Sequence, residues 1–142
     1  MDLIDYSKLN ILVIEDEKFS RELTCALLRS LGVSSLAICE DGEAGFVELL
    51  RTRPDIVFCD VRMAGMDGRQ FLRQVRAIKH DGLERTPVVF LTGDMALDTA
   101  MFAHEHGING YLVKPVSRSQ IQARVDTIIA ADRVLQTRLS VP

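Results

Sequence analysis

Two hydrophobic periods alternate along this chain, and each change of period marks an element boundary. Continuous apolar runs stand at Ile11-Leu12-Val13-Ile14, Ile56-Val57-Phe58-Cys59, Val88-Val89-Phe90-Leu91 and Tyr111-Leu112-Val113. Short unbroken runs of this kind predict strands covered on both faces, as in a parallel sheet. The first strand is expected over about 10–15, and a further one near 35–39. Between the strands the apolar residues recur at helical spacing. Phe19, Leu23, Leu27 and Leu31 mark the first helix, which Gly32 closes as a C-terminal cap. Asp41-Gly42 opens the second, with Phe46, Val47, Leu49 and Leu50 assigned to its inner side, and Phe71, Leu72, Val75 and Ile78 mark the third. A fourth is expected over about 95–106, ended by Gly107. The fifth runs from about 117 to 138, with Ile121, Val125, Ile128, Leu135 and Leu139 along one side. Five strand–helix alternations predict an α/β fold on one parallel sheet.

Chemistry-bearing residues cluster at one end of these runs. Asp16, Asp60, Thr92 and Lys114 each stand at, or just beyond, the end of a predicted strand. Parallel strands put their carboxyl ends on one edge, and with strand order 2-1-3-4-5 the order reverses between strands one and three, where open sheets bind ligands. Adjacent strands lie about 4.8 Å apart, so Asp16 and Asp60 are expected within a few ångströms of each other, with Glu15 as a third acid. Two like charges about 4 Å apart repel by roughly 4 kcal/mol at an effective dielectric near 20. A small hard cation relieves that repulsion, and a partly hydrated Mg²⁺ suits an all-oxygen ligand set. The alternative is that Glu15-Asp16-Glu17 only caps the first helix; the arrival of Asp60, Thr92 and Lys114 at the same edge favours the pocket.

The pocket has a natural division of roles. An aspartate can attack a phosphoryl group to form an acyl phosphate. A metal bridging Asp60 and the phosphoryl oxygens would offset charge in an in-line transfer. Lys114 would pair with another oxygen, and Thr92 would donate a hydroxyl hydrogen bond. Gly93 either leaves room for the incoming group or serves the turn. Tyr111 either enters space vacated by a moving Thr92 or packs on an edge strand.

Bulk properties narrow the class. A length of 142 residues favours a single domain, 1–142, and there is no internal repeat or linker to a second one. Net charge is −3, and Arg69, Arg73 and Arg76 look like a solvated helix face, so nucleic acid is not an expected partner. No apolar stretch reaches membrane-spanning length, and Met1-Asp2-Leu3-Ile4-Asp5 lacks the basic-then-apolar order of an export signal, so the expected compartment is the cytoplasm. Cys25, Cys39 and Cys59 form no C-x-x-C pair and are expected reduced and packed. His104 and His106, two apart, face different ways on a helix, and His80 sits in a turn exposed to water.

Five blocks together carry a resemblance. Ile11-Leu12-Val13-Ile14-Glu15-Asp16, Pro54-Asp55-Ile56-Val57-Phe58-Cys59-Asp60, Met63-Ala64-Gly65-Met66-Asp67-Gly68, Pro87-Val88-Val89-Phe90-Leu91-Thr92-Gly93 and Tyr111-Leu112-Val113-Lys114-Pro115 resemble, in order and spacing, the receiver domain of two-component response regulators. The likeness covers about residues 8–135. It implies a flavodoxin-like, doubly wound five-stranded parallel sheet with five helices. It implies that Asp60 accepts a phosphoryl group from a histidine kinase or phosphotransfer protein. It further implies that Glu15, Asp16, Asp60 and the carbonyl of Arg62 hold Mg²⁺, that Thr92 and Tyr111 form a switch pair, that Lys114 is the family lysine, and that the Lys114–Pro115 peptide is cis.

The chain departs from the family pattern at Ala64, where proline is usual, which predicts a more mobile loop after Asp60. Arg62 and Asp94 occupy positions that influence phosphate lifetime in the family; a pairing between them is one expectation. The apolar stripe through Leu135 and Leu139 continues past the expected end of the sheet, so it either pairs with a second copy, docks on a downstream effector, or belongs to a connecting helix leading to an output domain. The expected output surface is helix four, strand five and helix five. Rival functions are a haloacid-dehalogenase-type phosphatase, a flavin carrier and a phosphorylation-independent receiver-like domain. The first is disfavoured because Asp16 is followed by Glu17-Lys18 rather than an acid two residues on, the second because the acidic loop repels a flavin phosphate, and the third because every pocket residue is present.

Overall fold

The computed structural model describes residues 3–93 and 96–140, and side chains through residue 133. Its ten main elements are β1 (Asn10–Ile14), α1 (Lys18–Leu31), β2 (Ser35–Cys39), α2 (Gly42–Thr52), β3 (Ile56–Asp60), α3 (Gly68–Arg76), β4 (Val88–Thr92), α4 (Leu97–Glu105), β5 (Gly110–Val113) and α5 (Arg118–Ser140). The strands form one parallel sheet in the order β2-β1-β3-β4-β5. The alternation predicts the parallel α/β sheet, and its doubly wound, flavodoxin-like order is the one the family resemblance implies.

Alternate strand residues feed two separate cores. Ile11, Val13, Ile56, Phe58, Val89 and Leu91 pack against Cys25 and Leu28 of α1 and Ile121, Val125 and Ile128 of α5. Leu12, Ile14, Val57, Cys59, Val88 and Phe90 pack against Leu49 of α2, Phe71, Leu72 and Val75 of α3, and Ala103 of α4. The period of two along each strand sends neighbours to opposite layers, and both layers are buried and apolar. Burying each such side chain contributes about 1.5–3 kcal/mol, so the central strands form a rigid base for whatever follows them.

Four expectations need correction. Phe19 is 72% exposed, and the buried face of α1 is Thr24, Cys25, Leu28 and Leu31. Four residues turn a helix by roughly 400°, so a stripe of fours drifts about 40° per step away from the core. Val47 and Leu50 of α2 point outward, because the inner face is taken by Gly42, Gly45 and Leu49. A Cβ at Gly45 would lie 2.3 Å from Cδ1 of Ile14, so α2 sits on β1 too closely for larger residues there. Arg76 is not part of a solvated face; its guanidinium is half-buried and fully engaged, while Arg69 and Arg73 lie 4.6 and 5.5 Å above the Phe102 ring. Finally, α5 runs to Ser140, two residues beyond the expected end. Ile121, Val125 and Ile128 are buried as expected; the side chains of Leu135 and Leu139 lie outside the described residues.

Candidate functional site at the carboxyl rim of the sheet

The rim is built by strands that end in polar residues while their interiors stay apolar. Asp60 terminates β3 and is 6% exposed; Glu15, the first residue after β1, is fully buried. Asp16 follows it and is exposed. One carboxylate oxygen from each of Glu15, Asp16 and Asp60 lies within 4.8 Å of the other two. Lys114, directly after β5, places Nζ 3.3 Å from Oδ1 of Asp60 and pairs with Oε1 of Glu15. Its backbone N–H donates to the Thr92 carbonyl at 2.7 Å, which fixes where the side chain starts. The Lys114–Pro115 peptide is cis.

Backbone ties hold the acids in place. The Glu15 N–H donates to the Cys39 carbonyl at 3.0 Å, extending the β1–β2 ladder one residue beyond the strand. The Glu17 carboxylate caps α1 by accepting from the Phe19 and Ser20 N–H groups at 3.1 and 2.6 Å. Helix capping is therefore the work of Glu17, and Glu15 and Asp16 are left for the rim. Beneath Asp60, Gly68 begins α3; a Cβ there would fall 2.5 Å from the Asp60 carbonyl oxygen and 2.8 Å from Cα of Val61. Asp67 and Gln70 close that helix start with a reciprocal capping box.

The electrostatics are under-compensated. Burial pushes the Glu15 carboxyl up to about 7, with the shared hydrogen bond to Asp60 adding to the rise and Lys114 opposing it. Burial pulls the Lys114 ammonium down, but its bonds to Glu15 and Asp60 outweigh this and hold it above its ordinary value. Three acids facing one ammonium form an oxygen-only donor set with an excess of negative charge, the chemistry a small hard divalent cation satisfies. The Cys59 thiol behind Asp60 is wholly buried and pushed well up, so it stays an inert apolar group.

The remaining predicted residues fall around this cluster. Thr92 ends β4 and is 3% exposed. Tyr111 lies opposite Phe90 in the β4–β5 register, their rings meeting edge-on at 6.3 Å. The Tyr111 hydroxyl is shielded from solvent and meets no hydrogen-bond partner among the described residues. Arg62 is exposed, two residues past Asp60; the expected pairing of Arg62 with Asp94 lies outside the described residues. A Cβ at Gly93 would meet nothing within 4 Å among the described residues. Two contributions escape a reading of local pattern: the close approach of Gly68 to Asp60, and Arg21, whose guanidinium reaches the Glu15 and Asp16 carbonyls. Their importance rests on contacts between distant segments, for which no local pattern exists.

Comparison with known proteins agrees with this geometry. The family model described as the response regulator receiver domain matches residues 11–126. The chemotaxis protein CheY of Pseudomonas aeruginosa is 32% identical over 120 residues, covering 84% of this chain and 95% of that one. A response regulator receiver domain protein from Clostridium thermocellum superposes with a TM-score of 0.80 at 26% identity, covering 89% and 98% of the two chains. The receiver domain of a Pseudomonas aeruginosa sensor histidine kinase, solved with a magnesium ion coordinated in its active site cleft, gives a TM-score of 0.77 at 29% identity over 86% and 98%. With sheet order, rim chemistry and family match all in agreement, this chain belongs to the response regulator receiver domain family.

Proposed function

We propose that Asp60 is the phosphoacceptor of this receiver domain. The observation that carries the proposal is the convergence of the Asp60 carboxylate, the Lys114 ammonium 3.3 Å away and two further acids within 4.8 Å at the end of a rigid sheet. In the proposed step an Asp60 carboxylate oxygen bonds to phosphorus while the bond from phosphorus to the donor breaks, and its electron pair leaves with the donor. The donor is a phosphorylated histidine on a kinase or phosphotransfer protein. Lys114 draws one phosphoryl oxygen into line, and the Thr92 hydroxyl donates to another. The side chains of Glu15, Asp16 and Asp60 and the carbonyl of Arg62 would hold Mg²⁺, which when bound supplies charge neutralisation for the transferring group. The magnesium ion of the sensor-kinase receiver structure supports this choice of ion. The chain then catalyses only its own phosphorylation and dephosphorylation.

The readout follows from the same rim. Thr92 turning toward the phosphoryl group alters the packing around Tyr111, and the change reaches the surface of α4, β5 and α5, where Leu97, Met101 and Val113 are exposed. That surface contacts a downstream effector or output domain, or a second copy of the chain. Residues 1–142 work as one domain, and the expected compartment is the cytoplasm; no helix among the described residues is long and apolar enough to cross a membrane. Incubation with Mg²⁺ and acetyl phosphate should give one phosphoryl adduct by intact-mass measurement, and Asp60→Asn should abolish it. An adduct that survives in Asp60→Asn would refute the assignment.

A further inference from the structure

We propose that Arg21 is a positioning residue that holds the Glu15–Asp16 turn in the arrangement a divalent cation needs. The inference rests on reading the acidic rim as a cation site. Arg21 lies in the first turn of α1 and reaches back under the turn that joins β1 to its own helix. Its Nη1 donates to the Glu15 carbonyl at 3.0 Å and to the Asp16 carbonyl at 3.4 Å, and its Nη2 pairs with Oε1 of Glu40 at 3.2 Å. The Arg21 side chain is 16% exposed and Glu40 73%. Glu40 directly follows β2, so one planar group ties the turn after β1 to the turn after β2.

The consequence concerns geometry at the ligands. Glu15 is buried and Asp16 exposed, and the peptide between them sets how far apart their carboxylates stand. The N–H of Glu15 is already fixed on β2, so fastening the two following carbonyls leaves that peptide little freedom to rotate. Ligands ordered in advance need no ordering when the ion binds, and loss of such outer support commonly weakens metal binding by ten-fold or more. A guanidinium near a cation also repels it. Removing the clamp and removing the charge therefore move affinity in opposite directions, which makes substitution at Arg21 diagnostic. Lysine keeps the charge, but a point ammonium cannot bridge two carbonyls and a carboxylate as the fork does.

The test is Mg²⁺ titration by isothermal calorimetry on wild type, Arg21→Lys and Glu40→Gln, paired with phosphorylation by acetyl phosphate over a Mg²⁺ series. Arg21→Lys should weaken Mg²⁺ about ten-fold, raising the half-saturating Mg²⁺ concentration while leaving the plateau rate within about two-fold of wild type. Glu40→Gln, on an exposed residue, should weaken Mg²⁺ roughly two-fold in the same direction. It also keeps the test open if Arg21→Lys does not fold. Unchanged Mg²⁺ affinity in both variants, or a lowered plateau with an unchanged half-saturation point, would overturn the proposal. Wild type that takes up no Mg²⁺ would instead overturn the cation reading beneath it.

Discussion

At the carboxyl rim one ammonium meets two of three clustered acids, whereas at the amino edge of the sheet a single guanidinium is met by five neutral acceptors. Arg76 ends α3 and donates to the carbonyls of His106 at 2.9 Å, Glu84 at 3.0 Å, Thr86 at 2.8 Å and Gly107 at 3.0 Å, and to Oδ1 of Asn109 at 3.0 Å. Burial holds its pKa below the ordinary arginine value, yet every N–H direction it offers is used. Asn109 Oδ1 in turn accepts from the Val88 N–H at 2.9 Å, so this one side chain joins α3, the approach to β4 and the approach to β5. The two centres have opposite character. The amino edge is saturated and fixes structure; the rim keeps an excess of negative charge of the kind a small cation offsets.

The largest test of that contrast is Arg76→Ala, which strands several carbonyls at once. It should destabilise the protein by about 3 kcal/mol or more in urea unfolding, and Arg76→Lys should recover only part, because three donors cannot meet five acceptors. A cost near zero would show that the amino edge is merely surface. On the rim side, Gly68→Ala should force Asp60 and Val61 apart from α3. The expected cost is about 1–3 kcal/mol, with slower adduct formation on Asp60 from acetyl phosphate, since the intruding Cβ meets backbone rather than a flexible side chain.

The next test uses pH. Glu15 titrates near 7 in the fold against 4.5 for its ordinary value, so the folded state binds the proton more tightly than the unfolded chain. Its contribution is fully present below pH 4.5 and is lost as pH rises through 7. Metal-free protein should therefore gain stability between pH 8 and pH 5 by an amount on the order of 3 kcal/mol at most from this residue. Glu15→Gln should flatten that dependence, and Mg²⁺ added to wild type at pH 8 should restore stability. Equal pH profiles for the two proteins would mean the rim is not under-compensated. The smallest effect is expected for Tyr111→Phe. Deleting a hydroxyl that meets no partner among the described residues should leave stability unchanged or raise it by up to about 1 kcal/mol, while Asp60 still takes up phosphate.

These contrasts also explain what was legible beforehand. The rim residues Glu15, Asp16, Asp60, Thr92 and Lys114 could be found because each stands at or just after the end of a strand, and parallel strands necessarily share an edge. Arg76 was misread because a helical face of Arg69, Arg73 and Arg76 looks solvated until loops 8 to 33 residues away fold over one member. Phe19, Val47 and Leu50 were misplaced for a related reason. Spacing locates an apolar stripe only to within a turn, and the exact inner face depends on which small residue, such as Gly45, lets a helix approach.

The order of apolar runs, helical stretches and strand-terminal polar residues determined the parallel sheet, its two covered faces and the end at which chemistry gathers, because these depend on local periodicity and chain direction alone. The tertiary structure decided which charges are compensated. Lys114 reaches Glu15 across 99 positions of sequence, and the imbalance that raises the Glu15 pKa depends on burial and through-space distance, quantities that do not exist until the layers have closed.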